Sequence, residues 1–382
     1  MNKATLRRAL PWVAAVAGRA VRHEPDTPLA LPERPKVLLL QLQQVGDSMA
    51  VSPLIRALHE RYPDLMLDVL ASPAAAAVHR KSPHIHAIRT TADAGGGSGG
   101  RSWGLSPGGE PMAFARQFGQ MRTPSGAARG VRYDCILACV NQVSFSYALT
   151  AAMIGARRRI GFDVGGAGFL FTRRLTVPPG LNVIRANMLL AAAVDADASH
   201  PVEEFWFDDS DRAAAARLVP DQPYVVIHAG SNWQSKTWYT DRWAAVADGL
   251  KPLVPVFVGT AADAPLIDQI SRGRSLAGKT DLCQLGAVME RAELCITTDS
   301  GPRHIAGALG RPLVTVMSSL DQPYLWNFDR PNEVVLRTDP PCAGCLLSYC
   351  SHRTCMDRLT VDAVLSACAQ ARRHSQLPTH VA

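Results

Sequence analysis

The sequence predicts an α/β protein made of two doubly wound parallel sheets. Two observations carry that prediction. Short runs apolar on both faces, such as "KVLLLQL" at 36–42 and "YVVIHAGS" at 224–231, alternate with segments of helical spacing. The alternation runs once, breaks between about 200 and 220, and then starts again. A chain of 382 residues, 47% hydrophobic, is long enough for two such cores. Ligands of open α/β sheets sit at the carboxyl ends of the strands, and the polar motifs fall there.

The elements follow in order. Residues 1–34 form an N-terminal extension closed by Pro25, Pro28, Pro32 and Pro35. Residues 35–215 are the first domain. "KVLLLQL" is a buried strand, "SPLIRALHERYP" a helix with Leu54, Ile55 and Leu58 on one face, and "LDVLAS" the next strand. "IHAIRT" is a further strand. A Gly/Ser/Pro-rich insertion at 93–130 reads as flexible. Order resumes with the strand "YDCILACV", the helix "FSYALTAAMIGA" and the helix "LNVIRANMLLAAAV". Residues 216–382 are the second domain. Its strands are "YVVIHAGS", "VPVFVGT", "ELCITTD" and "PLVTVMS"; its helices are "TDRWAAVADGL", "APLIDQIS", "LCQLGAVMERA" and "PRHIAGALG".

The formal charge is +7, which favours anionic partners such as nucleotides or phosphorylated lipids without choosing among them. No run is apolar and long enough to span a bilayer. The N-terminus has the outline of a secretory signal, but its apolar part is Ala-rich and holds Pro11, so an amphipathic or frayed appendage is the reading. There are nine Cys, an odd number, several within apolar runs, which fits a reducing compartment.

Four motifs carry chemistry. "VGDSMAVSP" puts Asp47 just after the first strand, as a helix cap or as a base at the mouth of a cleft. "HAGSNWQSKTW" offers a tight turn at Gly230, short polar groups at Ser231 and Asn232, and a point charge at Lys236. "TTDSGPRHIAGALG" ends a strand at Asp299, turns at Ser300 and Gly301, and starts a helix whose free N–H groups suit a diphosphate. His304 lies one turn in, near enough to donate to that anion or simply buried. "GTAAD" places Asp263 to accept from a ribose or to cap the next helix. There is no G-x-G-x-x-G after the first strand and no P-loop, which weighs against a dehydrogenase and a P-loop ATPase. Cys342, Cys345, Cys350 and Cys355 stand as C-x2-C-x4-C-x4-C, suited to a structural zinc or to partly buried free thiols, with His352 a further donor.

Together these segments resemble glycosyltransferase family 9, the ADP-heptose:lipopolysaccharide heptosyltransferases, over most of 36–366. The resemblance implies a GT-B fold, two facing Rossmann-like domains, with the acceptor in the first and the nucleotide sugar in the second. It implies inverting transfer of a heptose from ADP-heptose to a lipopolysaccharide-core-type acceptor, without an essential catalytic metal. By position, Asp47 matches the catalytic base and Lys236 the residue at the diphosphate and sugar. Ser231, Asn232, Ser300, Gly301 and His304 match the phosphate ligands, Asp299 the sugar-facing edge, Asp263 a ribose ligand and Thr280 the adenine pocket. No cofactor is required, beyond the structural zinc considered above. The expected partners are ADP-heptose or a related nucleotide sugar and a phosphorylated glycolipid, with no nucleic acid. The expected location is the cytoplasm, with peripheral contact at the inner face of the membrane. The insertion at 93–130 and the N-terminal extension depart from the family pattern, so the donor class is better fixed than the acceptor.

Two rival functions remain. A GT-B-fold nucleotide-sugar epimerase or hydrolase would form product without an acceptor. A basic, zinc-bearing nucleic-acid-binding protein would show salt-dependent affinity, but aromatic residues make up only 6% and form no stripe among basic ones.

Overall fold

A computed structural model describes residues 21, 23–90, 132–140, 144–164, 166, 168–326, 328 and 330–374. The insertion expected at 93–130 and the start of the extension lie outside them. The chain divides into two compact units, Met1–Val202 and Glu203–Ala382.

In the first unit, β1 (Lys36–Gln41), β2 (Met66–Ala71), β3 (Ala87–Thr90), β4 (Cys135–Ala138), β5 (Arg158–Phe162) and β6 (Arg173–Leu175) form one sheet. Their order is β3-β2-β1-β4-β5-β6, all neighbours parallel. The double burial expected of β1 is real. Val37 and Leu39 enter one core, with Leu54, Ile55 and Leu58 of α2 (Ser52–Arg61). Leu38 and Leu40 enter the other, with Tyr147, Ala148 and Ala151 of α4 (Ser144–Ile154). Between β1 and α2 lies a short α1 (Val45–Met49). After β2, Ser72 accepts from Ala75 N–H at 3.1 Å and starts α3 (Pro73–His79), which the sequence reading left out. The remaining helix, α5 (Val183–Ala193), packs on α2. Buried Asp68 of β2 accepts from Tyr133 (2.7 Å) and Arg89 (3.1 Å) and lies 3.0 Å from His86, joining β2, β3 and the approach to β4.

The described part of the extension is tied to this unit. Arg173 donates to the carbonyls of Asp26 (2.6 Å) and Thr27 (2.9 Å), and Arg158 to that of Ala30 (3.0 Å). Leu31 N–H donates to Tyr62 Oη at 3.0 Å, and Tyr62 donates in turn to Val194 O at 2.6 Å. Residues 24–31 are therefore a strap, held by side chains of three later segments.

The second unit repeats the topology. Its strands are β7 (Tyr224–His228), β8 (Val254–Phe257), β9 (Arg274–Ser275), β10 (Leu294–Thr298), β11 (Leu313–Val316) and β12 (Glu333–Leu336). The order is β12-β11-β10-β7-β8-β9, again parallel. Before β7, α6 (Asp209–Ala216) opens with a reciprocal cap, Asp208 to Asp211, and its Arg212 reaches Glu290 at 2.8 and 3.0 Å. These contacts attach 203–216 to the second unit, although the sequence reading left it with the first. The helices that follow are α7 (Thr240–Gly249), α8 (Ala264–Ile270), α9 (Leu282–Glu290), α10 (Gly301–Ala308), α11 (Thr354–Asp357) and α12 (Val361–His374). The core under one face holds Val225 and Ile227 with the edge-to-face pair Trp238 and Trp243, centroids 5.1 Å apart. Val364, Ala367, Cys368 and Ala371 line α12 at helical spacing and fill the same core.

In both sheets the strand order reverses at one place, between β1 and β4 and between β7 and β10. Such switch points open a crevice at the carboxyl ends of the two strands.

Candidate functional site

The second unit's switch point gathers most of the expected donor residues. After β7 the chain passes Gly230 and half-buried Ser231, whose Oγ accepts from Trp233 N–H at 3.2 Å; Asn232 is exposed. A 3-10 turn at Gln234–Lys236 then aims Lys236 back across the sheet. Its Nζ lies 2.8 Å from Asp299 Oδ2 and 3.8 Å from Asp321 Oδ2. The indole of Trp233 is 5.5 Å from the ammonium.

Asp299 and Ser300 leave β10 and enter α10 at Gly301, with Pro302 in its first turn. Ser300 is the N-cap residue but its side chain makes no cap. The hydroxyl lies instead 3.1 Å from His228 Nδ1 and 3.3 Å from Thr298 Oγ1. Pro302 has no N–H and the Arg303 N–H donates to Ser300 O at 3.0 Å, so it is the Gly301 N–H at the positive end of α10 that is left to another acceptor, next to a lysine. Burial lowers the His228 pKa to about 4, against the pull of Asp263, so the ring is neutral at pH 7 and can accept from Ser300.

Beneath the turn runs a chain of buried charges. Arg303, 0% exposed, donates to Asp299 Oδ1 (2.9 Å), Glu333 Oε1 (2.6 Å) and the Trp326 carbonyl (2.8 Å). Arg330 joins Glu333 (3.2 Å) to Glu203. His304 is buried; its Nδ1 lies 2.8 Å from Glu203 Oε1 and its ring packs on Trp326 and Phe328. The structure places His304 inside this network, the buried alternative of the two weighed from the sequence. Burial pushes the Asp299 carboxyl up, but Lys236 and Arg303 outweigh it and hold it at about 2. Burial likewise raises the Asp321 carboxyl, and Lys236 only partly offsets this.

Asp263 serves as a reciprocal cap. Its Oδ2 accepts from Thr260 N–H at 2.7 Å and from Thr260 Oγ1 at 2.8 Å. Its carboxylate also lies against two glycines. A Cβ on Gly230 would sit 2.1 Å from Asp263 Oδ1, and one on Gly259 would sit 2.7 Å from Oδ2. So the carboxylate bridges the loops after β7 and β8, whichever ligand it meets. Thr280 is half-buried two residues past Gly278, whose N–H donates to Gly259 O at 2.9 Å.

The first unit's switch point holds Asp47. It is the third residue of α1, not the N-cap, which is Gln44; its Oδ2 accepts from Gln44 N–H at 3.3 Å. It is half-buried. Burial raises the pKa values of the Cys139 thiol at the end of β4 and the Tyr147 phenol, and the Asp47 charge adds to both. Asn187 of α5 steadies the place, accepting from Val140 N–H at 2.9 Å and donating to Ala50 O at 3.4 Å.

Cys342, Cys345, Cys350 and Cys355 line one cavity with His352 and Ser235. All are free; the first two are exposed and Cys350 is buried, its Sγ accepting from Arg353 N–H at 3.3 Å. Among the described residues, no three His, Cys, Asp or Glu side chains are grouped so as to hold a metal ion. As placed, these thiols do not fit the tetrahedral zinc considered from the sequence. What the loop does is brace the Lys236 turn: Ser235 N–H donates to Ser348 O (3.2 Å) and Cys350 N–H to Gln234 Oε1 (3.1 Å).

The sequence reading missed His228, Asp321, Arg303, Glu333, Arg330 and Glu203. Arg303 had one signal, its place one helical turn after Asp299. Glu203 had none, because it reaches His304 across 101 residues of chain.

Two doubly wound sheets, each with polar residues at its switch point, and a lysine beside a helix N-terminus in the second, make two Rossmann-like units, the second suited to an anionic ligand. Residues 126–353 match the sequence model of Glycosyltransferase family 9 (heptosyltransferase), more than half of the chain, and the protein belongs to that family. Lipopolysaccharide heptosyltransferase 3 of Escherichia coli is 25% identical over 294 residues, 72% of this chain and 81% of that one. A glycosyl transferase family 9 structure from Veillonella parvula superposes with a TM-score of 0.75 at 17% identity, over 91% of this chain and 99% of that one. The E. coli ADP-heptose lipopolysaccharide heptosyltransferase II superposes with a TM-score of 0.67 at 19% identity, over 90% and 100%. At such identities the two structures attest the fold. No described helix is long and apolar enough to cross a membrane.

Proposed function

We propose that this glycosyltransferase moves a heptose from ADP-heptose, or a closely related nucleotide sugar, to a phosphorylated glycolipid of the lipopolysaccharide-core kind, with inversion. The observation that carries the reading is Lys236 held 2.8 Å from Asp299 beside the uncapped start of α10, at the switch point of a parallel sheet. The names of the related heptosyltransferases support the donor and acceptor classes.

The chemistry follows from the residues. An acceptor hydroxyl attacks the anomeric carbon as the bond from that carbon to the diphosphate oxygen breaks. The hydroxyl proton passes to the Asp47 carboxylate, the general base. One displacement inverts the centre. ADP leaves with an added negative charge, and Lys236, the Gly301 N–H and the positive end of α10 stabilise it. Ser231, Asn232, Ser300 and Gly301 line the diphosphate, Asp263 takes the ribose and Thr280 lies towards the adenine. His304 acts from beneath the turn. In this reading the counter-charge comes from the protein, and the chemistry needs no metal. The net charge of +7 suits a phosphorylated acceptor at the cytoplasmic face of a membrane.

The test is incubation of the purified protein with ADP-heptose and a heptose-deficient core glycolipid, followed by mass and anomeric configuration of the product. Acceptor-dependent gain of one heptose with inverted configuration supports the reading. Consumption of ADP-heptose without acceptor favours an epimerase or hydrolase. Failure of the folded protein to bind any adenine nucleotide would sink it.

A further inference from the structure

We propose that Arg303 is a positioning residue for the donor: it acts on Lys236 through Asp299, and so sets how readily the lysine meets the diphosphate. This rests on the donor-site reading above.

The geometry is a linear relay of opposite charges. In order it runs Asp321, Lys236, Asp299, Arg303, Glu333, Arg330, Glu203. Three cations alternate with four carboxylates. Arg303 is the middle member and is sealed from water, with Phe328 facing its guanidinium at 5.6 Å. Its planar fork engages Asp299 on one side and Glu333 on the other, while the Trp326 carbonyl takes a further bond. This leaves Asp299 one orientation: Oδ1 on Arg303, Oδ2 on Lys236.

The consequence is competitive. Lys236 lies between two carboxylates, Asp299 at 2.8 Å and Asp321 at 3.8 Å, and an incoming diphosphate must draw it from them. Arg303 takes up part of the Asp299 charge, which weakens that carboxylate's hold on the lysine. It also fixes the carboxylate, so that Lys236 keeps its aim at the start of α10. Without Arg303, Asp299 turns its full charge on Lys236 and holds the lysine back from the diphosphate. A residue that touches neither donor nor acceptor then governs donor affinity.

The experiment is a double-mutant cycle read by calorimetric ADP titration of the full chain: wild type, Arg303→Met, Lys236→Ala and the double variant, each with a thermal melt to confirm folding. Arg303→Met should weaken ADP binding about 10- to 100-fold where Lys236 is present, and less than about 3-fold where it is absent. Equal losses in both backgrounds would mean that Arg303 does not act through Lys236, and would overturn the inference. A folded wild type that does not bind ADP instead sinks the donor-site reading, and this inference with it. If Arg303→Met fails to fold, Arg303→Lys keeps a cation in the slot but cannot fork between two carboxylates. Its expected loss is about 3- to 10-fold, again only with Lys236 present. Unchanged ADP affinity and unchanged kcat/KM in folded Arg303→Lys would overturn the inference equally.

Discussion

The two switch points have the same strand order and different chemistry. In the first unit, Asp47 stands near a thiol and a phenol, Cys139 and Tyr147, and the helix that carries it is steadied by Asn187. In the second, Lys236, Asp299 and Asp321 sit on a buried relay of charges. Topology supplies the crevice in both; the side chains decide what it can hold. The proposed base and the proposed diphosphate site need different neighbours, and the repeated fold provides each separately.

The sharpest break of this comparison is Asp47→Asn. Asparagine can still accept from Gln44 N–H, so α1 should keep its cap and the melting temperature should stay near that of wild type. As a base it fails. Transfer should drop about 100- to 10,000-fold with ADP affinity unchanged. A variant with near-normal turnover would reduce Asp47 to a cap. Next in size is Lys236→Ala, expected to cut kcat about 100- to 1,000-fold and to weaken ADP binding as well. The two variants thus separate the units by their signatures: turnover alone in one, turnover and donor binding in the other. Loss of ADP binding in Asp47→Asn would erase that division.

A smaller effect tests how the donor crevice is shaped. Gly230→Ala puts a methyl 2.1 Å from Asp263 Oδ1, so the loop or the carboxylate must move. Overpacking of this kind costs about 1–3 kcal/mol, seen as a lower melting temperature. If Asp263 meets the ribose, ADP affinity should fall as well, and ADP should stabilise the variant less than wild type. Unchanged ADP affinity would leave Asp263 a cap only.

Much of this was legible in the sequence, and the parts that were not share a cause. β1, β7 and β10 announce themselves because parallel strands are apolar on both faces, and Asp47, Lys236 and Asp299 are found by following those strands to their ends. Local pattern could not show the relay, since Arg330 and Glu203 are 127 residues apart. It also passed over α3 and α12, whose buried residues are mostly small or only weakly apolar: Ala75, Val78 and His79 in the one, Val364, Ala367, Cys368 and Ala371 in the other. The strap at 24–31 is held by arginines whose partners are backbone carbonyls, and backbone carbonyls leave no mark in a sequence. Asp263 shows the limit most directly. Its two readings, ribose ligand or cap, were even from the residues, and the cap is now seen in detail while the ligand role awaits Gly230→Ala.

The smallest effect on transfer, none at pH 7, contrasts how the two units bury histidine. His79 on α3, which packs against α1, has both ring nitrogens buried without a hydrogen-bond partner, and burial lowers its pKa to about 4. His228 is lowered to about 4 as well, but it has Ser300 beside it. Above pH 6.5 each ring is neutral whether the chain is folded or not, and neither affects stability. Between 6.5 and about 4 the unfolded chain takes up protons that the folded chain refuses, so stability falls with pH. For His79 the loss approaches about 3 kcal/mol below pH 4. His79→Leu should remove that share, flattening the decline measured by denaturant titration from pH 7 to 4, with transfer at pH 7 unchanged. The share of His228 should remain, and it should shrink when ADP is bound if the negative charge of the diphosphate favours the protonated ring. An equally steep decline in His79→Leu would show that His79 does not carry the acid sensitivity.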